Sequence, residues 1–294
     1  MADSTLASRA LGRLLAQYRD HAGITREAAS RIVETSSPTM GRLEEGTKPN
    51  ITDLWINALA DAYKVTSQDR KALLDLAKEV RTDAGKGVGW WRAYTTTMIG
   101  GFDHFLSLEQ AASRMTTWQL HLLPGLLQTS DYRRANAWAE DPNGDHDSIE
   151  MRVESIVRRQ ERLKDENFHI EALLSQAVLL NRVGGPSVME EQLLRLVELS
   201  NLPNVSIRVV PFSAPISIGL VVGPFTHLGF DPSPTTGLTE PPIIFIEGHT
   251  AAMFLDEAND VTRYADALQR IRKVALSQAE TRKLVMTVVK EYVQ

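Results

Sequence analysis

The 294-residue chain contains no cysteine, which rules out disulfides, thiolate zinc sites and cysteine nucleophiles. It has no apolar run approaching the ~20 residues that a membrane-spanning helix needs. Its opening residues, M-A-D-S-T-L, form no signal-peptide core. We therefore expect a cytoplasmic protein with no membrane partner. Aromatic residues are scarce at 6%, so a local cluster of them stands out. There is no surplus of positive charge either, since 32 Lys and Arg against 37 Asp and Glu leave a net −5. Any affinity for nucleic acid must then come from a local basic patch. Catalytic signatures are missing too: there is no H-E-x-x-H and no G-x-S-x-G. The G-K-G-V-G at 85–89 lacks both the Walker spacing and a preceding strand. The seven histidines are scattered without obvious partners, and the acidic loop at 141–147 does not match a calcium-loop spacing. The expectation is a non-enzyme with no metal and no cofactor.

What remains has the composition of an ordinary globular protein, long enough for about two domains. The most informative stretch is residues 24–49. Thr25 is placed to cap a first helix, and Ala28, Ala29 and Ile32 form its apolar stripe. The run Thr35, Ser36, Ser37 supplies a second cap, and Pro38 sits early in the helix, where its missing N–H costs nothing. Met40 and Leu43 then face inward while Ser37, Thr39 and Arg42 face out, and Gly46 ends the helix. Arg42 is the base-contact candidate, because a guanidinium bonds a guanine edge twice. Arg26 is placed to grip phosphate, and Arg26, Arg31, Arg42 and Lys48 make up the basic patch. The bland alternative is a helical hairpin with solvated charges. Gly41 weighs toward it, costing about 1 kcal/mol within a helix, and so do Glu44 and Glu45 unless Glu44 is neutralised by an arginine such as Arg13.

Around this unit the periodicity predicts helices over 6–21, from 50 to 62 and from Ser67 to Val80, about five in all. Inward positions on the fourth are Leu54, Trp55, Ala58, Leu59 and Ala62. Residues 82–89 form a glycine-containing linker between a domain at 1–81 and another at 90–294. The second part opens with an aromatic cluster, Trp90, Trp91, Tyr94 and Phe102. With Trp118 these rings are either core packing or a ligand or partner pocket. Residues 106–119 read as a helix, as do 149–165, 187–199, 256–275 and 277–292. Strand alternation appears near 168–172, 205–211, 223–230, 243–247 and 252–255. The fold class expected is α+β: an all-α bundle, then a larger domain with a mainly antiparallel sheet.

From Leu11 to Leu59 the order L-G-R-L-L…A-G-I-T-R-E-A-A…M-G-R-L-E-E-G-T-K-P…L-A resembles the Cro/repressor-like, xenobiotic-response-element type of helix-turn-helix domain. The resemblance implies that Ser36, Ser37, Pro38 and Thr39 enter the major groove, that Arg42 joins them, and that Arg26 meets the DNA backbone. Pro38 departs from the usual polar residue and donates no base contact. Further on, G-W-W-x-x-Y, L-P-G-L-L-Q-T, V-G-G-P-x-V-M, V-S-I-R-V-V-P and F-I-E resemble the large C-terminal domain of actinobacterial, antitoxin-like transcriptional regulators. That implies a DNA-binding regulator; a single small footprint per subunit leads us to expect a homodimer on operator DNA at the nucleoid. Its C-terminal domain would bind a small partner protein encoded nearby or sense an unknown small-molecule effector. A variant of this reading makes partner binding primary and DNA binding secondary.

Overall fold

A computed structural model describes residues 6–47, 51–85, 102–215, 217–233 and 237–292, with only the backbone described at 83–85. The fold is α+β, and the chain divides into two compact units. The helical unit holds α1 (Leu6–His21), α2 (Arg26–Ile32), α3 (Ser37–Glu44), α4 (Asp53–Ala62) and α5 (Ser67–Gly85). It also takes in most of α6 (Phe102–Ala111) and the segment Asp231–Glu240, whose Glu240 makes an ion pair with Arg13.

Side-chain caps start α2 and α3 where expected, and Thr52 caps α4, which begins at Asp53 and not at residue 50. Thr25 Oγ1 accepts from Ala28 N at 3.2 Å, Ser36 Oγ from Thr39 N at 3.3 Å and Thr52 Oγ1 from Trp55 N at 3.3 Å. α5 is capped by Thr66, not Ser67. It continues through residues 82–85 of the expected linker, and 86–89 lie outside the described residues. The core of this unit joins Leu11 and Leu15 of α1, Ala29 of α2, Met40 and Leu43 of α3, Ile56 and Leu59 of α4 and Leu73 and Leu76 of α5. Two expected inward positions turn out instead: Ile32 gives way to Val33, and Leu54 to Ile56. In each case the helix start sets a phase one or two residues away from the expected apolar stripe.

The second unit is built on a six-stranded mixed sheet in the order β3-β2-β1-β4-β5-β6. The strands are β1 (Arg114–Gln119), β2 (His169–Ser175), β3 (Val205–Val210), β4 (Phe225–Gly229), β5 (Ile243–Glu247) and β6 (Ala252–Leu255). β1–β2 and β2–β3 are parallel, and the other three pairings are antiparallel. The parallel half is connected through α7 (Ser130–Glu140), α8 (His146–Gln160), α9 (Ala177–Leu180) and α10 (Pro186–Leu199). A short α11 (Gly219–Val222) precedes β4, and α12 (Ala258–Val274) and α13 (Gln278–Tyr292) close the chain.

β1 corrects the reading of 106–119 as one helix. M-T-T-W carries β-branched and aromatic residues suited to a central strand, and a break at 112–113 separates it from α6. Ion pairs knit the charged α8 to α7, through Arg134 with Glu150 at 2.6 Å and Arg152 with Glu140 at 3.4 Å. Arg208 on β3 donates to the carbonyls of Arg272, Ala275 and Leu276, closing the C-terminus of α12. At the start of α13, Glu280 reaches back to Ser277 N and Oγ, forming a capping box.

Candidate nucleic-acid interface

The stretch 24–47 folds as two short helices with α1 laid across them. Gly12 makes that crossing possible: a Cβ there would lie 2.5 Å from the carbonyl oxygens of both Leu43 and Glu44. Gly46 closes α3 at φ +69°, where a side chain is strained, and a Cβ would also meet Arg9 backbone at 2.8 Å.

Where α1, α2 and α3 meet lies a buried carboxylate. The Glu44 side chain is 3% exposed; Oε1 accepts from Arg19 Nε at 2.5 Å, and Oε2 from Arg19 Nη2 at 3.2 Å and Arg26 Nε at 3.0 Å. Arg19 also donates to the Ile24 carbonyl at 3.0 Å, tying the end of α1 to the turn before α2. The bond to Glu44 holds the Arg19 guanidinium proton more firmly than usual. Burial, together with the Glu44 charge, pushes the Tyr63 phenol pKa up. The expected partner for Glu44 was Arg13, but Arg13 pairs with Glu240 instead. The geometry explains the difference: Arg19 lies on the last turn of α1, next to the start of α2, where Glu44 arrives from α3. Glu44 is therefore drawn inward and adds no exposed negative charge to the α3 surface.

On the outer side of α3, Ser36 Oγ and Thr39 Oγ1 are 2.9 Å apart, and Arg42 Nη2 donates to Thr39 Oγ1 at 3.1 Å. Ser36, Pro38 and Arg42 are exposed, and Ser37 and Thr39 are half-buried. Arg26 is half-exposed beside them, its guanidinium lying along Gly41. A Cβ on Gly41 would meet it at an ordinary 3.6 Å. Arg31 is exposed and paired with Glu27 one turn back. Lys48 lies outside the described residues. The outer stripe thus combines two hydroxyls at the N-terminal end of α3, where the peptide dipoles favour an anion, with a guanidinium from its last turn in one hydrogen-bonded row. Arg19 was not singled out from the sequence, because nothing local marks a last-turn arginine as a buried partner.

Of the proposed aromatic pocket, Trp90, Trp91 and Tyr94 lie outside the described residues. Trp118 is packed in the core with Leu173, Phe225 and Ile244, and its indole N–H donates to the Gly219 carbonyl at 2.9 Å. Phe102 instead lies under the Arg159 guanidinium, 5.4 Å from ring centroid to Cζ. Among the described residues no group of three His, Asp or Glu is arranged to hold a metal, and no helix is long and apolar enough to cross a membrane.

A capped two-helix unit with a polar outer face, in a chain that also carries a mixed α+β domain, has the form of a helix-turn-helix. Residues 10–74 match the family described as Helix-turn-helix domain. Residues 102–287, more than half of the chain, match the family described as Domain of unknown function (DUF5753), and the chain belongs to that family. No curated protein matches the chain. No solved structure matches it.

Proposed function

We propose that the chain is a sequence-specific, repressor-like transcriptional regulator that reads the major groove of operator DNA as a dimer. In this reading residues 1–81 bind DNA, and residues 90–294 supply dimer contacts and an input from a small partner protein or effector. Ser36, Ser37, Pro38, Thr39 and Arg42 face the bases, and Arg26 and Lys48 meet phosphate. The observation that carries the reading is the hydrogen-bonded Ser36–Thr39–Arg42 row on the outer side of α3, backed by a buried carboxylate that bonds two arginines beneath it. Hydroxyls and a guanidinium already ordered on a helix lose less freedom on meeting a base edge. The L-P-G-L-L-Q-T stretch supports placing the chain among actinobacterial, antitoxin-like regulators, and DNA binding implies a cytoplasmic, nucleoid-associated site. No catalytic step is part of this role.

Footprinting near the chain's own gene, followed by two variants, tests it. Arg42→Ala is expected to cost about 1–3 kcal/mol at the operator and to relax selectivity at one base pair. Arg26→Ala is expected to weaken binding to every sequence and to flatten its salt dependence. Parent-like DNA binding by both variants, or the absence of any protected site, overturns the proposal.

A further inference from the structure

A glycine in a helix interior is destabilising, and Gly41 sits inside α3. The two usual reasons for tolerating one do not apply. Its backbone is helical, unlike that of Gly46, whose φ is positive. No main chain crowds it either. A Cβ would collide with backbone at 2.5 Å on Gly12 and 2.8 Å on Gly46, but on Gly41 the three nearest atoms all belong to the Arg26 side chain. They are Nη1 at 3.6 Å, Cδ at 3.8 Å and Cζ at 3.9 Å, so the arginine from α2 lies along α3 where a larger side chain would stand.

The head of that arginine is set by Glu44. Arg26 Nε donates to Glu44 Oε2 at 3.0 Å, and the carboxylate is itself fixed, 3% exposed and held on its other oxygen by Arg19. A guanidinium is planar, so fixing its Nε–H fixes the plane in which the remaining N–H groups point. Among the described residues Nη1 and Nη2 bond no acceptor, and the side chain is 47% exposed. Two such donors held in one plane match two oxygens of a phosphate. Ser37 stands one turn before Gly41 on the same side of α3, so they lie beside the polar end of that helix. We propose that Gly41 and Glu44 are positioning residues for Arg26. The bare glycine gives the arginine a track along α3, and the buried carboxylate fixes its plane, so that its terminal N–H groups are held out for one phosphate of a DNA duplex. A side chain aimed beforehand loses less freedom on binding than a free one. The inference rests on the DNA reading proposed above and adds to it the two residues that aim the phosphate contact.

The test uses the full-length protein and a random-sequence DNA duplex over a series of sodium chloride concentrations, with the Arg26 Nε–H followed by heteronuclear NMR without DNA. In the parent that proton should exchange slowly. Arg26→Ala should flatten the dependence of log affinity on log salt by about one unit. Gly41→Ile puts two γ carbons against the guanidinium, and should free the Nε–H and flatten the dependence equally. Gly41→Ala, whose Cβ makes only an ordinary contact, should keep both as in the parent. Arg26→Lys keeps the charge but lacks the Nε–H that Glu44 accepts, and should bind the duplex about tenfold more weakly. Gly41→Ile with the parent's slope, or Arg26→Lys with the parent's affinity, overturns the inference. If Gly41→Ile fails to fold by circular dichroism, Arg26→Lys, altered on a half-exposed side chain, decides alone. Duplex binding that follows the expected pattern without any selected operator would sink the regulatory reading and leave the positioning standing. An operator read through Arg42, with Gly41→Ile behaving like the parent, would do the reverse. A parent that binds no duplex overturns both.

Discussion

In residues 36–42 the polar side chains of Ser36, Thr39 and Arg42 are turned to solvent and bond mainly one another. Residues 123–129, the L-P-G-L-L-Q-T stretch, are handled in the opposite way. Leu123, Leu126 and Leu127 are buried, and Gln128 Nε2 donates to the Leu123 carbonyl at 2.6 Å. Gln192 of α10 accepts from Thr129 N at 2.6 Å and donates to the Leu127 carbonyl at 2.8 Å. Gln160 of α8 donates to the Gln128 carbonyl at 2.5 Å. Tyr132, whose phenol accepts from Leu123 N, is pushed up to about 12 by burial. A Cβ on Gly125 would collide with Arg159 and Ile156 at 2.8 Å. Both stretches are conspicuous in sequence, but the second is an internal knot whose hydrogen bonds tie α7, α8 and α10 together. Distinctive residues are thus no guide to function until their polar groups are followed to their partners.

The sharpest way to break this contrast is at Glu44, which belongs to the reading unit yet behaves like the knot. Glu44→Ala leaves Arg19, 11% exposed, without its carboxylate and should destabilise the helical unit by about 3 kcal/mol, read by urea unfolding. An unchanged midpoint would mean that the carboxylate contributes nothing net. Next comes Gln192→Ala, which strips partners from one buried and one half-buried backbone group and should cost about 1–3 kcal/mol of stability. Its operator affinity should match the parent's, and a specific loss of DNA binding in a well-folded variant would contradict the structural role assigned to residues 123–129. Arg42→Ala should show the reverse pattern, with the melting temperature of the parent and DNA binding weakened as above. The smallest effect concerns pH. On β4, His227 is half-buried and opposite Thr116; burial pushes its imidazole pKa down, and Arg272 and Arg114 add to the shift. A depressed folded value means that the unfolded chain binds the proton more readily. Stability should therefore be full above the usual histidine value of about 6.5 and fall as pH drops below it. His227→Asn should remove that part of the slope, and a parallel pH profile for the variant would refute the assignment.

Much was legible before folding. Thr25 and the run Thr35, Ser36, Ser37 announced their helices, because capping is a local hydrogen bond that needs only the next three residues. Strands β3, β4, β5 and β6 were visible as alternation or short apolar runs, and the α+β class followed from their order. β1 was not: a six-residue central strand beside a helix, with both Met115 and Trp118 buried, carries no clean period. The reading face of α3 was visible in outline through Thr39 and Arg42, since helical phase alone turns them away from Met40 and Leu43.

Local chemistry by itself determined where α2 and α3 begin, which residues the second exposes, and that the chain ends in two helices. Only the tertiary structure decided that Glu44 would be met by Arg19 and Arg26, that Gly12 would let α1 touch α3, and that α11 would press on Trp118. Caps and helical phase act between neighbours along the chain, whereas these pairings join residues that only the crossing of whole elements brings together.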